Sequence, residues 1–302
     1  MNTVPYTAYK ADLPSETKLG VVHLKVNDLK NQVAFYSEAL KLTIHKQNED
    51  EAILGDINKP MLHLHRHDNL KRYHDTTGMY HFALLYPSEK ELAKAIGWLG
   101  AIEYPQAPTD HGMSKTTYLK DLEGNDIELY IRTLDRGQYV KENGILQMKY
   151  NDGRLTDGRD PLDLEALFSH IEKDDDLQSP LFDMEMGHIH LYGTNLDEMT
   201  DFYTNTIGFA TGVIDRRFRM GDVGLDEVQN HVVAYNSWKD TSIAAPEDAL
   251  GLDYYTIVLP DQKSYQALED RLNGAGVSIQ KSERGIFIKD PSHIDIKLEI
   301  EN

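Results

Sequence analysis

The sequence contains no cysteine, which excludes disulfide bonds, thiolate nucleophiles and cysteine-ligated iron–sulfur clusters. Any metal ion must therefore be held by histidine, aspartate, glutamate or backbone oxygen atoms. The sequence also lacks any run of roughly 20 apolar residues, the length that a transmembrane helix needs. Its first residues show no apolar stretch typical of a secretory signal. We therefore expect a cytoplasmic protein that has no membrane partner.

Basic residues are scarce relative to acidic ones, with 31 Lys and Arg against 50 Asp and Glu and a formal net charge of −19. Proteins that bind nucleic acids present a basic face to the phosphate backbone, so we expect no nucleic-acid partner. Hydrophobic residues make up 40% of the 302 residues. This content is sufficient for the packed cores of two domains of ordinary size.

Three segments of the chain each recur once, in similar form, further along the sequence. The pairs are FYSEALKL at 35–42 and FYTNTIGF at 202–209, GMYHFALLYP at 78–87 and GLDYYTIVLP at 251–260, and LKDLEGNDIELY at 119–130 and IKDPSHIDIKLE at 288–299. Two kinds of repeat alternate along the chain, which indicates four related modules. Equivalent positions of the modules can therefore be compared residue by residue.

Hydrophobic periodicity predicts that each module consists of a strand, a helix and about three strands. The predicted helices cover 27–40, 88–99, 196–206 and 263–274. The predicted domains are residues 1–134, with modules at 19–67 and 78–134, and residues 185–302, with modules at 185–238 and 250–300. The polar segment 135–184 is predicted to be a linker with one short helix near 162–171. A connection of this length indicates a structural role, such as covering the edge of a sheet.

Four repeated βαβββ modules with these motifs resemble the vicinal oxygen chelate superfamily, which includes glyoxalases, bleomycin resistance proteins and extradiol dioxygenases. Within it, the chain resembles the bacterial catechol 2,3-dioxygenase branch. The resemblance covers about residues 19–134 and 185–300. It implies an α+β fold in which pairs of modules form two half-open barrels. It also implies metal ligands on the first strand of each paired module and on the last strand of one.

The positions that correspond to the superfamily's ligands can be identified in each module. The opening-strand positions are Val21, His81, His188 and Tyr254, and the closing-strand positions are Glu128 and Lys297. Only the pairing of modules two and three gives two imidazoles and one carboxylate, the ligand set of non-haem Fe(II) oxygenases. We therefore predict that these two modules form the metal barrel, with His81, Glu128 and His188 as ligands, and that modules one and four form a barrel without metal. The implied metal is Fe(II), with Mn(II) as the alternative, and another divalent ion could occupy the site in a crystal.

The resemblance also implies three acid–base residues. His231 would serve the side of the site where O2 reacts, and His111 and Tyr118 would contact the hydroxyl groups of the substrate. Tyr118 shares a face with Glu128 only if residues 121–125 form a turn between two strands. Imidazole is suited to proton transfer because histidine titrates near neutral pH. The implied function is an extradiol dioxygenase that inserts both atoms of O2 into a small aromatic diol, next to the diol.

Other functions of the same fold remain open. A metal-dependent glyoxalase-like isomerase or lyase would need a second carboxylate, and module three offers none at the matching place. An antibiotic-modifying thiol transferase would not need the three acid–base residues together, and a drug-sequestering module would need no metal. The preferred catechol and any homo-oligomeric state are not determined by the sequence.

Module one carries further histidines without an assigned role. His63, His65 and His67 alternate and therefore share one face of a strand. Module one lacks both the opening histidine and the carboxylate, so we predict no metal there. His23 lies at the position equivalent to His190, which indicates a shared packing role.

Overall fold

The computed structural model describes residues 4–5, 10–142 and 144–301. Its strands are, in chain order, β1 Val4–Pro5, β2 Lys18–Val26, β3 Thr43–Gln47, β4 Glu51–Gly55, β5 Pro60–Arg66, β6 Gly78–Leu85, β7 Ala107–Asp110, β8 Ser114–Lys120, β9 Asp126–Arg132, β10 Gly137–Glu142, β11 Ile145–Tyr150, β12 Leu155–Thr156, β13 Asp160–Pro161, β14 Glu185–Tyr192, β15 Ala210–Asp215, β16 Met220–Gly224, β17 Val233–Asn236, β18 Gly251–Leu259, β19 Gln280–Ser282, β20 Gly285–Lys289 and β21 Asp295–Ile300. The α-helices are α1 Leu29–Ala34, α2 Glu89–Ala101, α3 Leu164–Phe168, α4 Leu196–Asp201 and α5 Gln262–Gly274. Short π-helical turns at Phe35–Ala39 and Phe202–Ile207 continue α1 and α4, and a 3-10 turn covers Leu134–Arg136.

The strand order joins module two to module three and module four to module one. A nine-stranded sheet has the order β13-β7-β8-β9-β6-β14-β17-β16-β15, and an eight-stranded sheet has the order β19-β20-β21-β18-β2-β5-β4-β3. The first strand of a module runs parallel to its last strand in the pairs β14/β17, β18/β21 and β2/β5. The predicted α+β fold of four βαβββ modules is therefore confirmed, including the pairing of the two middle modules.

The central strands of the nine-stranded sheet are buried along most of their length. Phe82 and Leu84 on β6 and Leu129 on β9 are fully buried. Strands that are covered on both faces consist of nearly continuous apolar residues rather than alternating ones. Polar residues in such strands are exceptions, because burying a polar group costs free energy unless it finds a partner.

The two kinds of repeated motif meet through buried hydrogen bonds. The Tyr36 hydroxyl donates to Asp121 at 2.8 Å, and the Tyr203 hydroxyl donates to Asp290 at 3.0 Å. In both turns the other oxygen of the aspartate accepts two backbone N–H groups, those of Glu123 and Asn125 in one and of Ser292 and Ile294 in the other. The tyrosine of module one is thus bound to module two, and that of module three to module four.

The segment that connects the two pairs of modules contains more structure than the sequence predicts. The predicted short helix is present as α3, but residues 137–156 also form β10, β11 and β12, which join β1 in a four-stranded sheet. The linker prediction missed these strands because few of their side chains are buried, Val140, Met148 and Tyr150 among them. Strand β13 pairs with β7 at the edge of the nine-stranded sheet, so the connection does cover a sheet edge.

Two compact units can be defined by their internal contacts. One consists mainly of residues 28–61 and 83–186, and the other mainly of residues 10–27, 62–82 and 187–301. The predicted domain boundaries at 134 and 185 stay a prediction. None of the helices in the described ranges combines the length and the apolar character needed to cross a membrane.

The buried carboxyl of Asp290 makes stability depend on pH. Burial raises its pKa from 3.8 to about 6, although hydrogen bonds from Ile294, Tyr203 and Ser292 oppose the shift. The folded state therefore binds more protons than the unfolded state between these pH values, and stability falls as pH rises through about 6. We expect the free energy of unfolding of the wild type, relative to Asp290→Asn, to fall by on the order of 2 kcal/mol between about pH 4 and 7.

Urea unfolding of both proteins at each pH measures this difference. Every other carboxyl is common to the two proteins, so subtraction isolates Asp290. A difference that stays constant over this range would contradict the expected role of the buried carboxyl.

Candidate metal centre

Three buried polar side chains come together on neighbouring strands of the nine-stranded sheet. Glu128 lies on β9, His81 on β6 and His188 on β14, and these strands are adjacent in the sheet. Each residue is 3% exposed, and each offers a ligand atom within 4.8 Å of those of the other two. The three predicted metal ligands are therefore brought to one place.

The spacing and chemistry of this group fit a divalent metal ion. The Nε2 atoms of His81 and His188 are 3.1 Å apart. Two imidazole nitrogens bound to one ion at about 2.0–2.1 Å would lie about 2.9–3.4 Å from each other. Two imidazoles and one carboxylate leave open coordination positions on one face of an ion, which a substrate can occupy.

His231 lies beside this group, in the segment that precedes β17. Its ring centroid is 4.4 Å from that of His188, and its Nδ1 atom lies 2.5 Å from a carboxylate oxygen of Asp222. Asp222 lies on β16 and also accepts the backbone N–H of Val213. The carboxylate accepts a hydrogen bond from the Nδ1–H group and fixes the tautomer and the orientation of the imidazole.

His111 and Tyr118 form a hydrogen-bonded pair whose proton positions can be derived. The Nδ1 atom of His111 lies 2.5 Å from the carbonyl oxygen of Gly158, and its Nε2 atom lies 2.9 Å from the Tyr118 hydroxyl. A carbonyl oxygen only accepts, so Nδ1 carries the proton. In a neutral ring Nε2 is then an acceptor, and the Tyr118 hydroxyl donates to it.

The relation of Tyr118 to Glu128 depends on the turn between β8 and β9. The Asp121 N–H donates to the Asn125 carbonyl, and Gly124 adopts a φ of 84°, a left-handed conformation that favours glycine. This turn sets the register in which Tyr118 lies directly opposite Glu128. Residues directly opposite in an antiparallel pair lie on the same face, as the sequence interpretation required.

Two partners of the candidate residues were missed by the sequence interpretation. Asp222, which orients His231, is the one charged residue of the short strand MGDVG, and a carboxylate in a buried strand is the signal that could have revealed it. Gly158, which orients His111, lies in the segment predicted to be a linker and is not distinguished in the sequence. Nothing local to Gly158 could have identified it, because the contact spans 47 residues.

Aromatic side chains also gather around His190, which follows His188 on the same face of β14. Its Nε2 atom lies 2.9 Å from the Asn236 amide, and the Tyr80 ring lies 5.0 Å from the His190 ring and 5.4 Å from that of Trp238.

Comparisons with known proteins agree with this architecture. Residues 18–129 match the family model of the Glyoxalase/Bleomycin resistance protein/Dioxygenase superfamily. Over 282 residues the chain is 29% identical to a catechol-2,3-dioxygenase of Bacillus subtilis (strain 168), covering 91% of this chain and 94% of that protein. Its fold resembles a proposed dioxygenase from Bacillus subtilis (TM-score 0.60, 12% identity, 94% of this chain and 86% of that one). It also resembles glyoxalase I from Zea mays (TM-score 0.55, 14% identity, 94% and 92%). At these identities the structural likeness concerns the fold alone.

Proposed function

We propose that this chain is an extradiol dioxygenase that cleaves a small aromatic diol next to the diol, and that it belongs to the Glyoxalase/Bleomycin resistance protein/Dioxygenase superfamily, whose family model matches residues 18–129. The observation that carries the proposal is the buried set of His81, Glu128 and His188, whose ligand atoms lie within 4.8 Å of one another. The likeness to a catechol-2,3-dioxygenase over 91% of the chain supports the substrate class. The proposed metal is Fe(II), which this ligand set commonly binds.

Glu128, His81 and His188 would hold the metal, and the other residues would handle protons. The ion, when bound, would supply a Lewis acid for the diol and the redox chemistry that activates O2. Because the Tyr118 hydroxyl donates to His111 Nε2, this pair can take up the proton that a substrate hydroxyl releases. His231, oriented by Asp222, can accept a proton at Nε2 and, once protonated there, can donate that proton on the side of His188.

A direct assay tests the proposed reaction. Metal-free protein is loaded anaerobically with Fe(II), its iron content is measured, and catechol and air are then added while O2 uptake and the visible spectrum are followed. We expect a yellow ring-fission product and one O2 consumed for each catechol. Protein carrying His74→Asn, which changes an exposed histidine, is the matched control and should behave as the wild type.

Iron-loaded protein that forms no coloured product and consumes no O2 with catechol or its alkyl-substituted forms would overturn the proposal. A metal-dependent isomerase or lyase acting at the same three ligands would then be the next activity to assay.

A further inference from the structure

A second group of histidines lies on the eight-stranded sheet. His23 is on β2, and His63 and His65 are on β5, the parallel neighbour of β2. Each of the three offers a ring nitrogen within 4.8 Å of those of the other two. Nδ1 of His23 lies 2.9 Å from Nε2 of His65, and the rings of His63 and His65 have centroids 3.9 Å apart. These are spacings at which imidazole nitrogens surround one ion.

His190 in the nine-stranded sheet is the repeat equivalent of His23, and its neighbours show which residues suffice for packing at this position. There, His190 on β14 lies in register with Ala234 of β17, and its Nε2 atom bonds the amide of Asn236 two residues further on. On the eight-stranded sheet the same register places His63 opposite His23, and His65 takes the place of the amide.

The His23–His65 hydrogen bond thus reproduces the packing pair of the other sheet. The third imidazole does not follow from packing, because a methyl group fills its place in the repeat. The packing role expected for His23 from the sequence therefore explains two of the three rings and leaves His63 without an explanation.

The cluster is partly buried, and the charges beside it are paired. His23 is 7% exposed, and burial, together with the neighbouring His63 and His65, lowers its pKa to about 2. The two nearby cations each have a carboxylate partner: Arg284 bonds Asp253 at 2.9 Å, and Lys297 lies 2.6 Å from Glu299. The positive charge near the cluster is therefore largely offset.

We propose that His23, His63 and His65 form a second metal site, which takes a transition-metal ion such as Zn(II), Ni(II), Cu(II) or Co(II). Three imidazoles without a carboxylate suit these ions and disfavour Mg(II) and Ca(II), which require oxygen ligands.

The site lies in modules one and four, the pair that was predicted from the sequence to hold no metal. Its ligand His23 lies on β2 two residues after Val21, the position that is equivalent to the ligand His188. The second site is therefore not a copy of the first centre. It does not depend on the proposed ring cleavage.

The repeat itself supplies the variant that tests this site. His63→Ala with His65→Asn converts the cluster to the arrangement around His190, which the same fold already accommodates. Metal-free protein is equilibrated with Co(II), and then separately with Zn(II), and the bound metal is measured by mass spectrometry after removal of free ions. We expect two ions per chain in the wild type and one in the double variant. His67→Asn, which changes the exposed histidine two residues further along, should retain two.

The His188→Ala background isolates the second site from the first. We expect one Co(II) per chain with visible d–d absorption in this background, and neither ion nor absorption when the double variant is added. Unfolding in urea checks that the variants fold. A double variant that binds as many ions as the wild type, or a wild type whose only ion is lost with His188→Ala, would overturn the second site. These readouts measure bound metal, so they are independent of whether catechol is cleaved.

Discussion

Replacing His188 by alanine should remove one metal ion per chain and abolish turnover. The change leaves His81 and Glu128 as ligands and opens a buried cavity where the imidazole was. Two ligands hold a divalent ion far more weakly than three, because each lost ligand bond must be replaced by water in a buried site. Metal content after equilibration with stoichiometric Fe(II), measured together with O2 uptake, provides the test.

His74→Asn is the matched control, because it removes an exposed imidazole and leaves the sheet unchanged. A His188→Ala protein that retains its full iron content and its ring-cleaving activity would exclude His188 as a ligand. A folded variant that lacks the ion and is inactive is the expected outcome.

Replacing His231 by glutamine should leave the metal content unchanged and reduce kcat by about 10²–10⁴-fold, the usual contribution of a general acid or base. The glutamine can still accept or donate a hydrogen bond, but it cannot transfer a proton near neutral pH. His231 lies beside His188, with 4.4 Å between ring centroids, and is not one of the three grouped ligands. Rates at saturating catechol and O2, with iron content measured on the same samples, give the comparison.

Asp222→Asn probes the same imidazole indirectly. The neutral amide accepts a weaker hydrogen bond from Nδ1–H of His231 than the carboxylate does, so the imidazole is oriented less firmly. We therefore expect kcat to fall less than in His231→Gln, while the KM for catechol changes little. If His231→Gln cleaves catechol at a near-normal rate with normal iron content, the acid–base role proposed for His231 is wrong.

Much of the architecture follows from the sequence because the modules can be compared with each other. The imidazoles at 81 and 188 and the carboxylate at 128 predicted that modules two and three are paired in one barrel, and the strand order places these two modules side by side. Helix α2 begins at Glu89, one residue after the predicted start at 88, because the Ser88 side chain accepts the N–H of Glu91 and caps the helix. Internal repeats and helix boundaries can therefore be predicted from the sequence alone.

Features that depend on contacts distant in sequence were not predictable. The π-helical turns after α1 and α4 accompany the bonds from Tyr36 to Asp121 and from Tyr203 to Asp290, which span 85 and 87 residues. Strands β10 and β11 are short and half-exposed, so they carry little hydrophobic signal. The third ring of the His23 cluster was also missed, because His63 was considered with its neighbours in sequence and not with the strand beside it.

The strand order has a consequence for how the chain can be divided. Strand β2 pairs with β18, and β6 lies beside β14, so each large sheet contains strands from both halves of the sequence. A chain cut within residues 135–184 would leave β2 and β6 as open edges in one fragment and β14 and β18 as open edges in the other. Such edges expose rows of unpaired N–H and C=O groups that associate with other chains. Fragments made at this point should therefore aggregate separately and regain solubility when they are refolded together.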